Sequence, residues 1–121
     1  MEELESIEIK AFVPSKDFRL SKEFYIDLGF RMASDEGGIA YFHHNHCSFL
    51  LQDFYEQEHA ENFMMLLLVK DIVKGHQDMI SSGVIEKYGT SVSDISAQPW
   101  GMLDFYLADP SGVLWRFGQN L

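Results

Sequence analysis

The sequence predicts an α+β fold made of two tandem β-α-β-β-β modules, and three observations predict it. The chain has 121 residues, about what one hydrophobic core serves. A Lys-Asp pair stands at Lys16-Asp17 and again, 54 residues on, at Lys70-Asp71, each time ahead of an amphipathic stretch. Those stretches end at Gly29 and Gly83, which share the 54-residue offset. Two boundary signals aligned over one period point to an internal repeat. Module 1 is placed at about residues 5–52, a polar linker at 53–62 and module 2 at about 63–121, all within a single domain of residues 1–121.

In module 1, Ile7 to Val13 reads as a strand, and Pro14-Ser15-Lys16-Asp17 breaks it, with Asp17 placed as a helix N-cap. Phe18, Leu20, Phe24, Tyr25 and Leu28 fall at three- and four-residue spacings and predict a helix, which Gly29 stops in a left-handed conformation. Phe30 starts the next strand. Ile39 to His43 and Ser48 to Leu51, joined by His44-Asn45-His46, read as a hairpin. In module 2, Phe63 to Val69 is a strand, and Ile72, Val73, His76, Met79 and Ile80 mark a helix capped by Asp71 and ended by Gly83. A weak strand near Ile85 to Tyr88 follows. Leu103 to Leu107 and Val113 to Phe117 then form a hairpin closed by the turn Asp109-Pro110-Ser111-Gly112.

Hydrophobic residues make up 46% of the chain and charged residues 23%, a globular and not a disordered composition. The net charge of -10 repels phosphate backbones, which argues against nucleic acid as a partner. Cys47 is the only cysteine, so no internal disulfide forms and a reducing compartment is expected. The acidic start Met1-Glu2-Glu3-Leu4-Glu5 is unlike a signal peptide. The longest apolar run, Phe63 to Val69, falls short of the roughly 20 residues a membrane helix needs. A soluble cytoplasmic protein without a membrane partner is the expectation.

Phe12-Val13-Pro14-Ser15-Lys16-Asp17-Phe18, then Phe24-Tyr25 and Leu28-Gly29-Phe30, resemble the opening of the vicinal oxygen chelate superfamily, which includes glyoxalase I and extradiol dioxygenases. Gln98-Pro99-Trp100-Gly101, followed by Asp109-Pro110-Ser111-Gly112 and an aromatic strand, resembles its bleomycin resistance protein branch. The resemblance implies a mixed sheet curled around a cleft. It also implies a divalent metal held by His, Gln or Glu at fixed strand positions, and those positions transfer to Lys10, Met64 and Arg116. None of the three is an ordinary ligand, and two cations repel a divalent ion. No metal and no other cofactor is therefore expected. His43, His44 and His46 are the remaining candidates, but neighbours on a strand point to opposite faces, and the ordinary reading is a solvated hairpin tip.

Alternation along the strands defines the expected cleft. Ala40, Phe42, Phe49, Leu51, Leu103, Phe105, Leu107, Trp115 and Phe117 are assigned to the helix side. The other face then carries Lys10, Phe12, Tyr41, His43, Ser48, Leu50, Met64, Leu66, Asp104, Tyr106 and Arg116, with Trp100 in the loop ahead of a cleft strand. An apolar lining with a few polar groups suits a small molecule. Two functions are expected from this face. One is a non-catalytic homodimer whose aromatic clefts sequester a planar or cationic compound, as the bleomycin resistance resemblance implies. The other is a glyoxalase-type lyase with an atypical metal site or none, using Tyr106 and His43 as acid and base. Lys10 and Arg116 either clamp an anionic group or pair with Glu8 and Asp104.

Overall fold

A computed structural model describes residues 1–121. After a short turn of 3-10 helix at Glu2–Leu4, module 1 comprises β1 (Phe12–Pro14), α1 (Phe18–Leu28), β2 (Arg31–Glu36), β3 (Ile39–His44) and β4 (Cys47–Gln52). Helix α2 (Gln57–Glu61) follows in the linker. Module 2 comprises β5 (Met64–Leu68), α3 (Ile72–Ser81), α4 (Val84–Tyr88), β6 (Ser96–Gln98), β7 (Met102–Ala108) and β8 (Leu114–Asn120). Each module forms a four-stranded mixed sheet, in the order β1-β4-β3-β2 and β5-β8-β7-β6. In both, the first strand runs parallel to the last and the other pairs are antiparallel. The repeat read from the sequence is thus a repeat of topology. None of the helices is long and apolar enough to cross a membrane.

Local chemistry explains why the helices start where they do. The Asp17 carboxylate accepts from the Leu20 amide at 3.1 Å, and the Asp71 carboxylate accepts from the Lys74 amide at the same distance. Each satisfies one of the first-turn amides that a helix leaves unpaired. Gly29, at φ 120°, ends α1 and sends the chain into β2. Asn45, at φ 53°, makes the β3–β4 turn, a conformation asparagine tolerates better than most residues.

Two expectations are corrected. The strand expected over Ile7 to Val13 is confined to Phe12–Pro14, because Ile7 and Ile9 are 92% and 97% exposed and find no surface of this chain to cover them. The stretch Ile85 to Tyr88 is helical, not a strand. Gly83, at φ 81°, turns the chain, Val84 is buried, and Lys87 and Tyr88 both reach the Asp27 carboxylate on α1, each at 2.6 Å. The strand's place in the sheet is taken by Ser96–Gln98, paired to Met102–Asp104. The polar linker contains α2, opened by the Glu56 side chain accepting from the His59 amide at 2.7 Å.

One apolar core runs through both modules. Phe24 and Tyr25 of α1 pack against Ala40, Phe42, Phe49 and Leu51, and the same cluster continues into Phe105, Leu107, Trp115 and Phe117. The cross-strand pair Phe42–Phe49 stacks with ring centroids 5.5 Å apart, and Phe105–Phe117 repeats the arrangement in module 2 at 5.0 Å. Trp115 joins the halves, 5.2 Å from Phe49 and 5.5 Å from Phe30. Burying a ring of this size contributes about 2–3 kcal/mol.

A buried polar latch crosses this core. The Tyr25 hydroxyl donates to Asp109 Oδ2 and accepts from Trp115 Nε1 at 2.8 Å. Asp109 Oδ1 accepts from the amides of Ser111 and Val113 at 2.8 and 2.9 Å. Ser111 Oγ in turn accepts from the Lys16 amide at 2.8 Å. The two motifs Pro14-Ser15-Lys16-Asp17 and Asp109-Pro110-Ser111-Gly112 are therefore bonded to each other.

Burial, followed by the charge of Asp109, pushes the Tyr25 phenol well above its usual value of 10.0. Since the folded pKa lies above the unfolded one, this group's stabilisation is complete below about pH 10 and lost as pH rises through the folded value. Urea midpoints measured from pH 8 upward are expected to fall beyond about pH 10. The Tyr25→Phe variant is expected to show a flatter alkaline limb, and an identical limb would remove Tyr25 as its source.

Candidate functional site

The sheet faces turned away from the core carry the expected cleft residues in two groups. On the first sheet, Phe12 pairs with Leu50, Leu50 with Tyr41 and Ser48 with His43, so these residues share a face. The Lys10 ammonium lies 5.2 Å from the Tyr41 ring centroid and completes the group. On the second sheet, Leu66 pairs with Arg116 and Arg116 with Tyr106, and Met64 and Asp104 have the same parity. Trp100 is 65% exposed at the tip of the β6–β7 hairpin, in a turn closed by the Gly101 amide donating to the Gln98 carbonyl at 3.1 Å. His43 and Tyr106, the acid and base expected of a lyase, lie on different sheets.

The apolar members of the second group are open to solvent. Met64, Leu66 and Leu68 alternate along β5 at 54%, 52% and 51% exposed, and Tyr106 is 44% exposed. A hollow of about 640 Å³ lies over the first sheet, lined by Ile7, Glu8, Tyr41, His43 and Ser48 among others. A second, of about 460 Å³, runs between the N-terminal segment and β5, with Ile9, Ser48, Leu66 and Leu68 in its walls. Neither is lined by Trp100, Asp104, Tyr106 or Arg116.

Lys10 and Arg116 each have their own carboxylate, whereas Arg31, across the strand pair from His43, belongs to no ion pair. Lys10 bonds to Glu8, which also accepts from Ser48 Oγ at 3.1 Å. The bond to Lys10 is the main reason the Glu8 carboxyl is held below its usual range, and the same bond raises the Lys10 pKa. Arg116 donates to Asp104 Oδ2 at 2.7 Å, and Gln98 Nε2 donates to Asp104 Oδ1 at 2.9 Å. Asp104 is 1% exposed beneath these partners. The Arg116 guanidinium also lies 5.7 Å from the Tyr106 ring centroid. Of the two roles open to Lys10 and Arg116, pairing within the chain is the one realised. Sequence reasoning quoted Gln98 only within the motif Gln98-Pro99-Trp100-Gly101 and gave it no place at the site, and it missed Leu68, whose parity with Met64 and Leu66 was the available signal.

The positions that correspond to metal ligands do not fit a divalent ion. Lys10 and Arg116 are cations committed to carboxylates, and Met64 offers a thioether, a soft and weak ligand. No group of three or more His, Cys, Asp or Glu side chains is arranged to hold a metal ion. His43 and His44 diverge as strand neighbours must, His43 toward Tyr41 and His44 toward Phe30, both with ring centroids 6.1 Å apart.

Solved structures share this architecture. A bleomycin-binding protein complexed with bleomycin superposes with a TM-score of 0.80 at 24% identity, over 96% of this chain and 100% of that one. A bleomycin resistance determinant encoded on the transposon Tn5 gives 0.77 at 21% identity, over 95% and 98%. Lactoylglutathione lyase from Agrobacterium tumefaciens gives 0.68 at 16% identity, over 94% and 93%. At these identities the likeness is one of fold, and it extends to binding proteins and an enzyme alike. No curated protein sequence matches the chain. The family model described as Glyoxalase/Bleomycin resistance protein/Dioxygenase superfamily matches residues 8–117, and the chain belongs to that superfamily.

Proposed function

We propose that the protein is a binding protein of the bleomycin resistance type: a cytoplasmic homodimer, one domain per chain, that sequesters a small molecule against its aromatic cleft faces. Antibiotic resistance is the role such sequestration serves. The observation that carries this reading is the pairing of both cleft cations, Lys10 with Glu8 and Arg116 with Asp104. It takes those two cations out of use as an anion clamp on faces rich in aromatic surface, within a chain of net charge -10. A neutral or cationic planar compound suits such a face better than an anion. Phe12, Tyr41, Tyr106 and Trp100 supply the stacking surface, Leu50 and Met64 the apolar floor, and His43 and Ser48 the polar contacts, while Asp104, covered by its partners, holds Arg116 in place. The fold shared with a protein solved together with bleomycin supports the reading.

Calorimetry and tryptophan quenching with bleomycin and with aromatic cations test it. Binding is expected for at least one of them, and Trp100→Ala is expected to weaken it about tenfold, the usual effect of truncating an aromatic anchor. Unchanged affinity removes Trp100 from the site. Elemental analysis is expected to find less than one divalent metal per chain. Turnover of methylglyoxal with glutathione would overturn the binding-protein reading.

A further inference from the structure

We propose a second small-molecule site, on the helix side at the junction of the two modules, that takes a compact organic ammonium ion with an aromatic or branched apolar body. It does not rest on the reading above, because none of the cleft-face residues lines it. The site is a hollow of about 480 Å³ between the end of α1, the end of β5 and helix α3. That volume lies within the range of about 300–1,000 Å³ usual for ligand pockets. Its walls come from both halves of the chain: Phe30 from module 1, and Leu67, Met79, Val84, Phe105 and Phe117 from module 2.

Two further features mark this hollow as a ligand site and not a packing gap. Gly75 lies inside α3 and lines the hollow, yet its φ is not in the left-handed region, and a Cβ added there would meet nothing within 4 Å. Alanine would favour the helix by about 1 kcal/mol. Neither backbone geometry nor close packing explains the glycine, whereas an open wall for a ligand does. The second feature is the charge at the mouth. Asp27, Asp78 and His44 line it. Asp27 is already held by Lys87 and Tyr88, each at 2.6 Å, while Asp78 belongs to none of the chain's ion pairs. An uncompensated carboxylate at the rim of an aromatic hollow selects a cationic head on an apolar body.

The test uses 2-naphthylmethylammonium, 2-naphthylmethanol and 2-naphthoate, followed by methyl resonances in solution and by calorimetry. The ammonium probe is expected to shift the methyls of Leu67, Val69, Met79 and Val84 and to bind at least threefold more tightly than the alcohol, with the carboxylate weakest. Asp78→Asn, an exposed change that leaves the fold intact, is expected to abolish the preference for the ammonium over the alcohol. Gly75→Phe is expected to fill the hollow and abolish binding of the probes there, and Gly75→Ala, which narrows it by one methyl group, to weaken binding in a protein of equal or higher stability. Trp100→Ala is expected to leave this binding unchanged, which separates its failure from failure of the cleft proposal. Shifts confined to Leu50, Met64 and Leu66, or equal affinity for the three probes, would overturn the site. So would an undiminished ammonium preference in Asp78→Asn.

Discussion

Asp109→Ala is expected to lower the unfolding free energy by about 3–5 kcal/mol and the melting temperature by about 10 °C or more. The change removes the acceptor of three buried donors: the Tyr25 hydroxyl and the amides of Ser111 and Val113. Each is left buried without its acceptor, and an unsatisfied buried group costs about 1–3 kcal/mol. Opposing this is the relief of burying a carboxyl group, since burial raises the Asp109 pKa, with the bonds from Tyr25, Val113 and Ser111 acting the other way. The bonds exceed the relief because they also fix the β7–β8 turn, whose Ser111 holds the Lys16 amide. Asp109→Asn is expected to fall in between. It keeps an oxygen for the two amides but points an NH₂ group at Tyr25, which already receives a proton from Trp115. Tyr25→Phe, with a cost of about 1–3 kcal/mol, completes the series. Urea unfolding of the three variants measures it, and an Asp109→Ala protein within about 0.5 kcal/mol of the parent would show that the latch contributes nothing.

The pH behaviour of the latch is the reverse of that of the surface pairs. With its folded pKa above 3.8, Asp109 holds more protons folded than unfolded between the two values, so its contribution falls as pH rises through that window. Asp27, held low chiefly by Lys87, contributes above its unfolded value and loses that contribution on acidification. Acid therefore loosens the α1–α4 tie before it affects the core.

This latch marks the limit of what could be read from the chain. The caps Asp17 and Asp71 were legible because an N-cap acts within three residues of itself, and the faces of β3 and β4 because alternation is a local property. The motifs around Asp17 and Asp109 were legible as a resemblance, but their joint role was not, because Tyr25 and Asp109 are 84 residues apart in the chain. Strand β6 was missed because Ser96–Gln98 is a short polar edge with no apolar period. Helix α4 was misread because Ile85 and Tyr88 favour strands by composition, and only the tertiary pull of Asp27 on Lys87 and Tyr88 shows why they coil. The candidate cleft was legible as a face but not as an enclosed space: alternation places Tyr41 and Tyr106 correctly on their sheets and says nothing of how far apart the sheets stand.

That openness supplies the second large prediction: Leu68→Asp is expected to dissociate the proposed dimer with the fold intact. Strand β5 lies at the edge of its sheet, paired on one side to β8 alone. Its outward residues Met64, Leu66 and Leu68 form an apolar stripe about half exposed, near Ile7 and Ile9, which are almost fully exposed. Unpaired edges with apolar side chains invite association, and a monomer seldom leaves such a stripe bare. Completing the burial of each leucine contributes about 1 kcal/mol. An aspartate at position 68 would be desolvated there without a cation, because the partner across the strand pair is Gly118, whereas at position 66 it would meet Arg116. The dimer dissociation constant is therefore expected to rise about 100-fold or more. In the single chain the site is half in water, so the circular dichroism spectrum is expected to be unchanged. Sedimentation equilibrium decides the matter: the parent is expected at twice 13.9 kDa and the variant at 13.9 kDa at equal concentration. A parent that remains at 13.9 kDa at the highest concentration reached would overturn the dimer. If the cleft ligand is held between two copies, its binding and the dimer must fail together in Leu68→Asp. Ligand affinity surviving in the monomer would instead place the whole site on one chain.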